Sequence, residues 1–593
     1  MLRRNVLKIL GATAVALPLE WRLAHAMPVR ITGRVRPEEP GWPSKAEWEK
    51  LRRSVDGNLI KVEPLFGPCA RHADSTACAE LRKNLRNPFF LGDQPNGTQV
   101  SGWYRAWAPA PSAYAVKART AADVAAAVNF ARTHNLRLAV KGTGHSYQGT
   151  SCAPDSLLIW TRAMNGVELH DAFVPQGCNV APVPGVTAGA GCMWIDLYHA
   201  VTAEAGRYVQ GGGCTDVGVA GLVQSGGFGS FSKAFGTAAS SLLEAEIVTA
   251  DGVVRICNPR INPDLFWAIK GGGGGSWGVV TKVTLRTYDL PENFGAASGM
   301  IQAKSDNAFS ALLSHFLNFY RDNLLNPHWG EQFHIFPDNK LELSFVCQGL
   351  SEDQAKAVWR PFFEWVAQNP DLKVMGELHA RAIPARQWWN VKGNPSMIPD
   401  DRPGAPAYHG WWDGDQGQVG VYLNGFDSLW IPAALLSQPD RLANALFEAS
   451  RLKKVELHCN KGLAGAPAAA RRAALDTATN PAVVSAFALA IIADGQASAY
   501  PGERTPDLAA AKKDADAIAN AAATLRACVP DAGSYVSESN YFNPRWQEAY
   551  WGSNRGRLAA IKAKYDPDCL FFVHNGVGSE GWSRDGFKRL ANG

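Results

Sequence analysis

The placement of glycine constrains this chain more than any other feature of its sequence. The chain has 57 glycines, which recur throughout residues 206–236 and form an unbroken run at Gly271–Gly275. Because glycine has no Cβ atom, such segments let the backbone approach a ligand more closely than other residues allow. The sequence therefore predicts that glycine-rich segments hold the backbone against a bound molecule.

The glycines from Gly273 to Gly278 match two known patterns in the wrong structural context. G-x-G-x-x-G binds a dinucleotide only when a strand precedes it and a helix follows. G-x-S-x-G, here centred on Ser276, likewise needs a strand-to-helix elbow. In this chain a helical segment at 264–270 precedes the glycines and a strand at 279–290 follows. A glycine-rich turn is favoured over a classical dinucleotide site or a serine hydrolase.

The turn at 141–146 is a better candidate for binding an anion. An apolar strand at 136–140 leads into Lys-Gly-Thr-Gly-His-Ser. Successive backbone N–H groups with few side chains around them form an anion-binding nest, which a pyrophosphate fits. A tight turn with no ligand is the competing interpretation.

The composition is that of a globular protein and excludes several functions. Of 593 residues, 46% are apolar and 19% are charged, and the net charge is +5. A near-neutral chain of this length does not suggest nucleic acid or an anionic membrane as a partner. No apolar run reaches the length of a membrane span. There is no Cys-x-x-Cys pair and no clustered His/Asp pattern, so we expect no metal site.

The first 26 residues are predicted to be an export signal. Arg3 and Arg4 precede an apolar stretch, and Ala24-His25-Ala26 resembles a cleavage site. Arg-Arg-x-Val-Leu-Lys favours a twin-arginine signal over an ordinary secretory signal. We therefore expect a mature chain from about residue 27 in a bacterial periplasm or outside the cell. Disulfides form in such compartments, and Cys69 with Cys78 is a plausible pair.

The segments differ in character along the chain. Residues 27–110 suggest an extended arm, and a helix begins at the capping box Thr120-x-x-Asp123. Asp251-Gly252 predicts a hairpin turn. Between 291 and 530, helical stretches at 303–320, 352–367, 433–451 and 506–527 alternate with strands such as 341–347 and 419–424. From 531 short polar turns and aromatic residues return.

Two residues, taken with their surroundings, resemble a known family. His145 lies in Lys-Gly-Thr-Gly-His-Ser-Tyr, and Cys214 begins Cys-Thr-Asp-Val-Gly-Val-Ala-Gly-Leu-Val-Gln-Ser-Gly-Gly-Phe-Gly. With the segment 264–281, the Asp251-Gly252 hairpin and the C-terminal Tyr-Trp-Gly-Ser-Asn, these resemble berberine-bridge-enzyme-like oxidases of the vanillyl-alcohol oxidase / p-cresol methylhydroxylase superfamily. The resemblance covers roughly residues 85–290 and 530–580, and five motifs occur in the family's order.

The resemblance implies an α+β fold with a two-part FAD-binding domain. That domain would comprise residues 111–290 and 531–593, with a substrate domain at 291–530 made of an antiparallel sheet backed by helices. FAD would be attached through its 8α carbon to His145 and through C6 to Cys214. The other residues that the resemblance assigns to FAD are Lys141, Gly142, Thr143, Gly144, Ser146, Gly218, Gly221, Gly226, Val280, Tyr550 and Asn554.

The implied reaction is hydride transfer from a substrate C–H to the flavin, with a base taking the hydroxyl proton. Val217, three residues after the attachment cysteine, is similar to the residue that permits oxygen access in the family, which favours an oxidase releasing hydrogen peroxide over a dehydrogenase. Tyr535 is the candidate base. Ser537 replaces the asparagine usual in its Tyr-x-Asn stretch, and Tyr422 and Glu456 remain alternatives.

Tryptophans between residues 380 and 430 indicate the class of the small-molecule substrate. Flat aromatic rings beside carboxylates suit sugars, whereas the competing interpretation is that the rings pack a sheet. The residues are Trp388, Trp389, Trp411, Trp412 and Trp430. Doubly attached members of the family often oxidise oligosaccharides at the anomeric carbon, so we expect a carbohydrate or other alcohol. An aromatic alcohol or secondary metabolite is the alternative, and an exported binding protein without turnover is a third hypothesis.

Overall fold

The computed structural model describes residues 33–590, so the predicted export signal lies outside the described residues. The first sheet along the chain is small and has four strands, three of which run parallel. In spatial order its strands are Leu59–Lys61, Tyr114–Lys117, Leu157–Trp160 and Leu138–Lys141. The predicted helix spans Ala121–Thr133, and its Thr120–Asp123 capping box is present. The strand Leu138–Lys141 follows this helix, and the turn at 141–146 begins at the carboxyl end of the strand.

A second sheet has six antiparallel strands. In order they are Val167–Phe173, Val183–Gly189, Val279–Asp289, Leu242–Val248 and Val254–Cys257, with Arg207–Val209 beside the end of Val279–Asp289. The predicted hairpin is present at Asp251-Gly252. The two strands end at Val248 and begin again at Val254, so the connection is longer than two residues. Within it, the N–H of Gly252 donates to the carbonyl oxygen of Thr249.

The third sheet has seven antiparallel strands. Their order is Leu372–Pro384, Asn293–Ala303, Lys340–Gln348, Trp329–Ile335, Val455–His458, Ala486–Gln496 and Tyr422–Pro432. Helices Asp306–Phe319, Glu352–Gln368, Pro439–Leu452 and Leu508–Cys528 bury their apolar faces against strand residues such as Phe333, Leu343 and Leu457. The four predicted helical stretches of this region are thus present, with shifted ends.

The chain after residue 530 packs back against its first half. Helices Trp546–Trp551 and Arg555–Tyr565 lie near helix Pro263–Ile269, and Trp551 Nε1 donates to the carbonyl oxygen of Gly271 at 3.3 Å. Shorter elements complete the fold: helices Trp194–Leu197, Val219–Gln224, Ser232–Phe235 and Ala468–Leu475, and the paired strands Met397–Pro399 and Gly410–Trp412. The domain boundaries at 111, 291 and 531 stay a prediction.

The segment before residue 110 is not the extended arm that its composition suggests. It contains four short helices: Lys45–Ser54, Gly67–Arg71, Thr76–Asn84 and Pro88–Gly92. Three of them have side-chain caps, from Ser44, Ser75 and Asn87, which stabilise helices too short to give a clear hydrophobic period. The Cys69–Cys78 disulfide joins two of them, as the spacing suggested. Within residues 33–590, no helix has the length and hydropathy to cross a membrane.

Candidate active site

A single cavity brings together most of the residues predicted to form the site. It lies at the end of strand Leu138–Lys141 and is bordered by the glycine-rich segments and by the chain near 535–538 and 571–576. The predicted residues that line it are Lys141, Gly142, Thr143, Gly144, His145, Ser146, Cys214, Val217, Gly218, Gly221, Val280 and Tyr535. The sequence motifs thus converge on one place in the fold.

Glycine is required in the walls of this cavity by close backbone contacts. Gly144 has φ +88°, and a Cβ atom there would lie 3.1 Å from the carbonyl oxygen of Gly97. Gly275 has φ +73°, and its Cβ would lie 2.8 Å from a methyl carbon of Val573. Both positions combine a left-handed backbone with no space for a side chain. The turns therefore present backbone N–H groups, with little side chain, to the cavity.

The turn at 141–146 has backbone N–H groups that are free to bind a ligand, whereas the ammonium of its lysine already binds carbonyl oxygens of the protein. The N–H groups of Thr143, Gly144 and His145 donate to no acceptor within the described part of the chain. The Lys141 ammonium donates to the carbonyl oxygens of Gln94 and Gly97, at 2.6 Å for Gly97. Burial lowers the pKa of Lys141 to about 7. An anion bound at this turn is therefore held by the backbone nest rather than by the lysine.

The two candidate attachment residues line the same cavity, each in a distinct environment. His145 pairs through Nε2 with the carboxylate of Asp216, whose side chain is only 3% exposed. Nδ1 of His145 is the ring nitrogen left without this partner. Burial raises the pKa of the Cys214 thiol well above its usual range, and the nearby charge of Asp415 acts in the same direction. The thiol is thus protonated unless a neighbouring group removes its proton.

Tyr535 is one of the residues that line the cavity. Its ring packs edge-on against Phe228, and its Oη is buried without a hydrogen-bond partner in the described residues. Burial raises the pKa of Tyr535. Nearby, the Lys461 ammonium pairs with the Glu538 carboxylate, and both side chains line the cavity. Sequence reasoning missed this pair; the signal available was the position of Glu538, three residues after Tyr535.

Some residues that line the cavity also carry buried polar atoms without a hydrogen-bond partner among residues 33–590. These atoms are Ser276 Oγ and Gln224 Oε1, in addition to Tyr535 Oη. Buried polar groups are normally paired, so each such atom needs an explanation. A ligand with a pyrophosphate would pair with the N–H groups of the nest at 143–145, and His145 and Cys214 lie in the same wall. The residues present fit FAD.

Comparison with known proteins agrees with this geometry. The family described as "FAD binding domain" matches residues 111–258, and the family described as "Berberine and berberine like" matches residues 529–578. An FAD-linked oxidoreductase, easE, of Arthroderma otae is 30% identical over 94% of this chain and 91% of its own length. The chain belongs to the berberine-bridge-enzyme-like FAD-linked oxidoreductases.

Solved structures have the fold of this berberine-bridge-enzyme-like oxidoreductase. The VAO-type flavoprotein MtVAO615 from Myceliophthora thermophila C1 has a TM-score of 0.77 at 25% identity, covering 94% of this chain and all of that chain. The glucooligosaccharide oxidase of Acremonium strictum, described with a 6-S-cysteinyl, 8α-N1-histidyl FAD, has a TM-score of 0.61 at 20% identity, covering 81% of this chain and 94% of that chain. The predicted α+β fold of the p-cresol methylhydroxylase type is confirmed, and the enzyme is an FAD-binding oxidoreductase.

Three residues predicted to bind FAD in this oxidoreductase are not among those found to line the cavity. A Cβ atom at Gly226 would lie 3.0 Å from Thr479 Oγ1, and Asn554 Nδ2 donates to the carbonyl oxygen of Thr479 at 3.0 Å. The Tyr550 hydroxyl accepts hydrogen bonds from Ser539 and from Gln148, which does line the cavity. In the structure these residues support the walls of the cavity.

The tryptophans that suggested a sugar site in this oxidoreductase are mostly buried. Trp389 stacks on Tyr198 with ring centroids 3.9 Å apart, and Trp430 is only 2% exposed. Trp412 Nε1 donates to the carbonyl oxygen of Gly213 at 3.0 Å. These contacts favour the packing interpretation. Of the three candidate bases only Tyr535 was found to line the cavity; Tyr422 packs near Gly102, and Glu456 bonds His458.

Proposed function

We propose that this protein is an exported FAD-dependent oxidase that takes hydride from an alcohol or carbohydrate and passes the electrons to oxygen. The observation that carries the proposal is that His145 and Cys214 line one cavity together with a backbone N–H nest. In this proposal His145 attaches to the 8α carbon of FAD and Cys214 to C6. The cysteinyl and histidyl linkage described for the glucooligosaccharide oxidase supports it.

When bound, FAD would supply the redox chemistry, namely hydride acceptance from the substrate carbon and electron transfer to oxygen with release of hydrogen peroxide. The chain's own residues would hold and orient the reactants. The N–H groups of 143–145 bind the pyrophosphate. Tyr535, which lines the cavity, would take the proton of the substrate hydroxyl. Because burial raises the pKa of Tyr535, its phenol is protonated and must give up its own proton as it takes that of the substrate. Glu538, which lies in the same wall, would accept the phenolic proton.

Val217 is proposed to leave a path for oxygen. Its side chain is half-buried in the wall of the cavity, three residues from Cys214. A larger side chain at this point would fill the space beside the flavin. The alternative function is a dehydrogenase, or an oxidase acting on an aromatic alcohol or secondary metabolite, that passes its electrons to another acceptor. The burial of the tryptophans keeps this alternative open, because stacking surfaces for sugar rings are fewer than the sequence suggests.

Export is proposed from the sequence of residues 1–26 and from the compartment that a disulfide requires. Arg3 and Arg4 head an apolar stretch that ends in a small-residue cleavage site. The Cys69–Cys78 disulfide fits an oxidising compartment such as the periplasm or the exterior of the cell. Twin-arginine export of a folded chain would carry the attached cofactor across the membrane with the protein.

The proposal is tested by turnover of the purified holoenzyme with a panel of oligosaccharides, simple alcohols and aromatic alcohols. Oxygen uptake and hydrogen peroxide are measured beside reduction of an added dye. An oxidase consumes oxygen at least as fast as it reduces the dye and forms one peroxide for each substrate oxidised. Dye reduction without oxygen uptake would move the assignment to the dehydrogenase. No reduction of the flavin by any member of the panel would reject the alcohol and carbohydrate classes.

A further inference from the structure

A protonated thiol cannot form a bond to a flavin carbon until something takes its proton. Burial raises the pKa of Cys214 far above neutrality, so the thiolate is scarce at physiological pH. His145, by contrast, already has a carboxylate partner in Asp216. The attachment at Cys214 therefore requires a proton acceptor of its own.

Asp415 is the carboxyl group whose charge acts most strongly on the pKa of this thiol. It ends the short 3₁₀ turn Asp413–Asp415. Its Oδ2 is buried and has no hydrogen-bond partner in the part of the chain that the structure describes. The Cys214 thiol interacts with its carboxyl group, and Asp216, His145 and Glu331 are the other charged or titratable groups near it. Burial and the charge of Asp216 raise the pKa of Asp415 to about 7.

Two hydrogen bonds fix the segment that carries Asp415 against the cysteine. Trp412 Nε1 donates to the carbonyl oxygen of Gly213 at 3.0 Å, immediately before Cys214. Thr215 Oγ1, immediately after it, donates to the carbonyl oxygen of Gly410 at 2.6 Å. Gly410 and Trp412 are thus hydrogen-bonded to the residues on either side of the cysteine. Asp415 follows Trp412 by three residues and is half-buried.

We propose that Asp415 is the base that removes the thiol proton of Cys214 when this residue becomes attached to FAD. The inference rests on the proposed function, since it presumes attachment at Cys214. In this step the S–H bond breaks with its proton passing to Asp415, a bond forms between Sγ and C6, and C6 loses its hydrogen as a proton to solvent. The two electrons enter FAD, and oxygen, the acceptor of the proposed oxidase, removes them as hydrogen peroxide.

In this proposal each of the two carboxylates serves a different attachment residue. Asp216 holds Nε2 of His145 and leaves Nδ1 for the 8α carbon, whereas Asp415 serves Cys214. Loss of Asp415 should therefore abolish the cysteine link and leave the histidine link in place. A residue needed only for folding or for FAD binding would affect both links together.

The test is peptide mass mapping of the purified holoenzymes. Asp415→Asn is compared with Asp415→Glu and with Asp413→Asn, a matched control because Asp413 is an exposed residue of the same turn. We expect flavin on both attachment peptides of the wild type and of Asp413→Asn. Asp415→Asn should carry at least about tenfold less flavin on Cys214 with the His145 link unchanged, a loss in the range of a missing general base. Asp415→Glu should restore part of the cysteine link.

Three results would overturn the inference, and they are distinguishable. Full flavinylation of Cys214 in Asp415→Asn would remove the proposed base. Loss of both links in that variant would make Asp415 a determinant of folding or FAD binding. Absence of flavin on Cys214 in the wild type itself would reject the bicovalent function, and this inference would fall with it.

Discussion

The ring of Tyr535 meets that of Phe228 edge to face, with centroids 5.0 Å apart and planes at 86°. This contact fixes the phenol while leaving its hydroxyl unpaired in the cavity wall. A buried hydroxyl without a partner is costly to a folded protein, about 1–3 kcal/mol. The proposed reaction places the substrate hydroxyl beside Tyr535 because this residue lines the cavity.

Replacing Tyr535 with Phe keeps the ring and removes the hydroxyl. We expect flavin reduction to slow by about 10²–10⁴-fold, the usual contribution of a positioned acid or base. Stopped-flow reduction under anaerobic conditions measures this directly. Tyr541→Phe is the matched control, because Tyr541 belongs to the same aromatic cluster and was not found to line the cavity. An unchanged rate in Tyr535→Phe would exclude Tyr535 as the base and direct attention to Glu538.

The Lys461–Glu538 pair should be coupled. Lys461 is 11% exposed and Glu538 20%, so removing one partner leaves the other charge in a largely buried place. We expect the double variant Lys461→Met/Glu538→Gln to lower the free energy of unfolding by less than the sum of the two single variants. A coupling of about 1–3 kcal/mol is expected in a double-mutant cycle from denaturant unfolding. If the changes in the free energy of unfolding of the two single variants add up to that of the double variant, solvent already screens the two charges from each other.

Val217→Leu adds bulk at the proposed oxygen path. We expect reoxidation of the reduced enzyme by oxygen to slow by about tenfold or more, a barrier increase of about 1.4 kcal/mol. Flavin reduction and turnover with a dye should stay close to the wild type, because neither requires oxygen at that place. Equal slowing of both half-reactions would indicate general damage to the site. An unchanged oxygen rate would show that Val217 does not control access.

Lys233 makes stability depend on pH in the alkaline range. Its Nζ donates to Tyr320 Oη at 2.9 Å and to the carbonyl oxygen of Cys459 at 2.7 Å, and burial lowers its pKa from 10.5 to about 8. Between these values the folded protein binds fewer protons than the unfolded chain, so the free energy of unfolding rises with pH. Relative to Lys233→Met, the wild type should gain stability from about pH 8 to about pH 10. Parallel pH profiles of the melting temperatures would contradict this.

Sequence reasoning located the parts of the site that local motifs encode. Lys141–Ser146 and Cys214–Gly221 converge on one cavity because each follows a strand or glycine-rich turn whose geometry the sequence dictates. Helix Ala121–Thr133 was predictable from its capping box and apolar period. Such features need only short-range information.

Contacts between distant segments were not predictable in the same way. Asp415 lies about two hundred residues from Cys214, and Lys461 meets Glu538 only because the third sheet brings the two segments together. The tryptophans near 388 and 411 suggested a binding surface, but the fold buries most of them. The helices before residue 110 were missed because helices of one to three turns carry too weak a hydrophobic period.

The central claim is that His145 and Cys214 both hold the flavin. Its most direct test is the flavin fluorescence of acid-denatured protein on a gel, for the wild type, His145→Ala, Cys214→Ala and the double variant. We expect yellow cofactor to remain with the denatured wild type and with each single variant, and to wash out only from the double variant. Release of free flavin from the denatured wild type, or retention by the double variant, would contradict the claim.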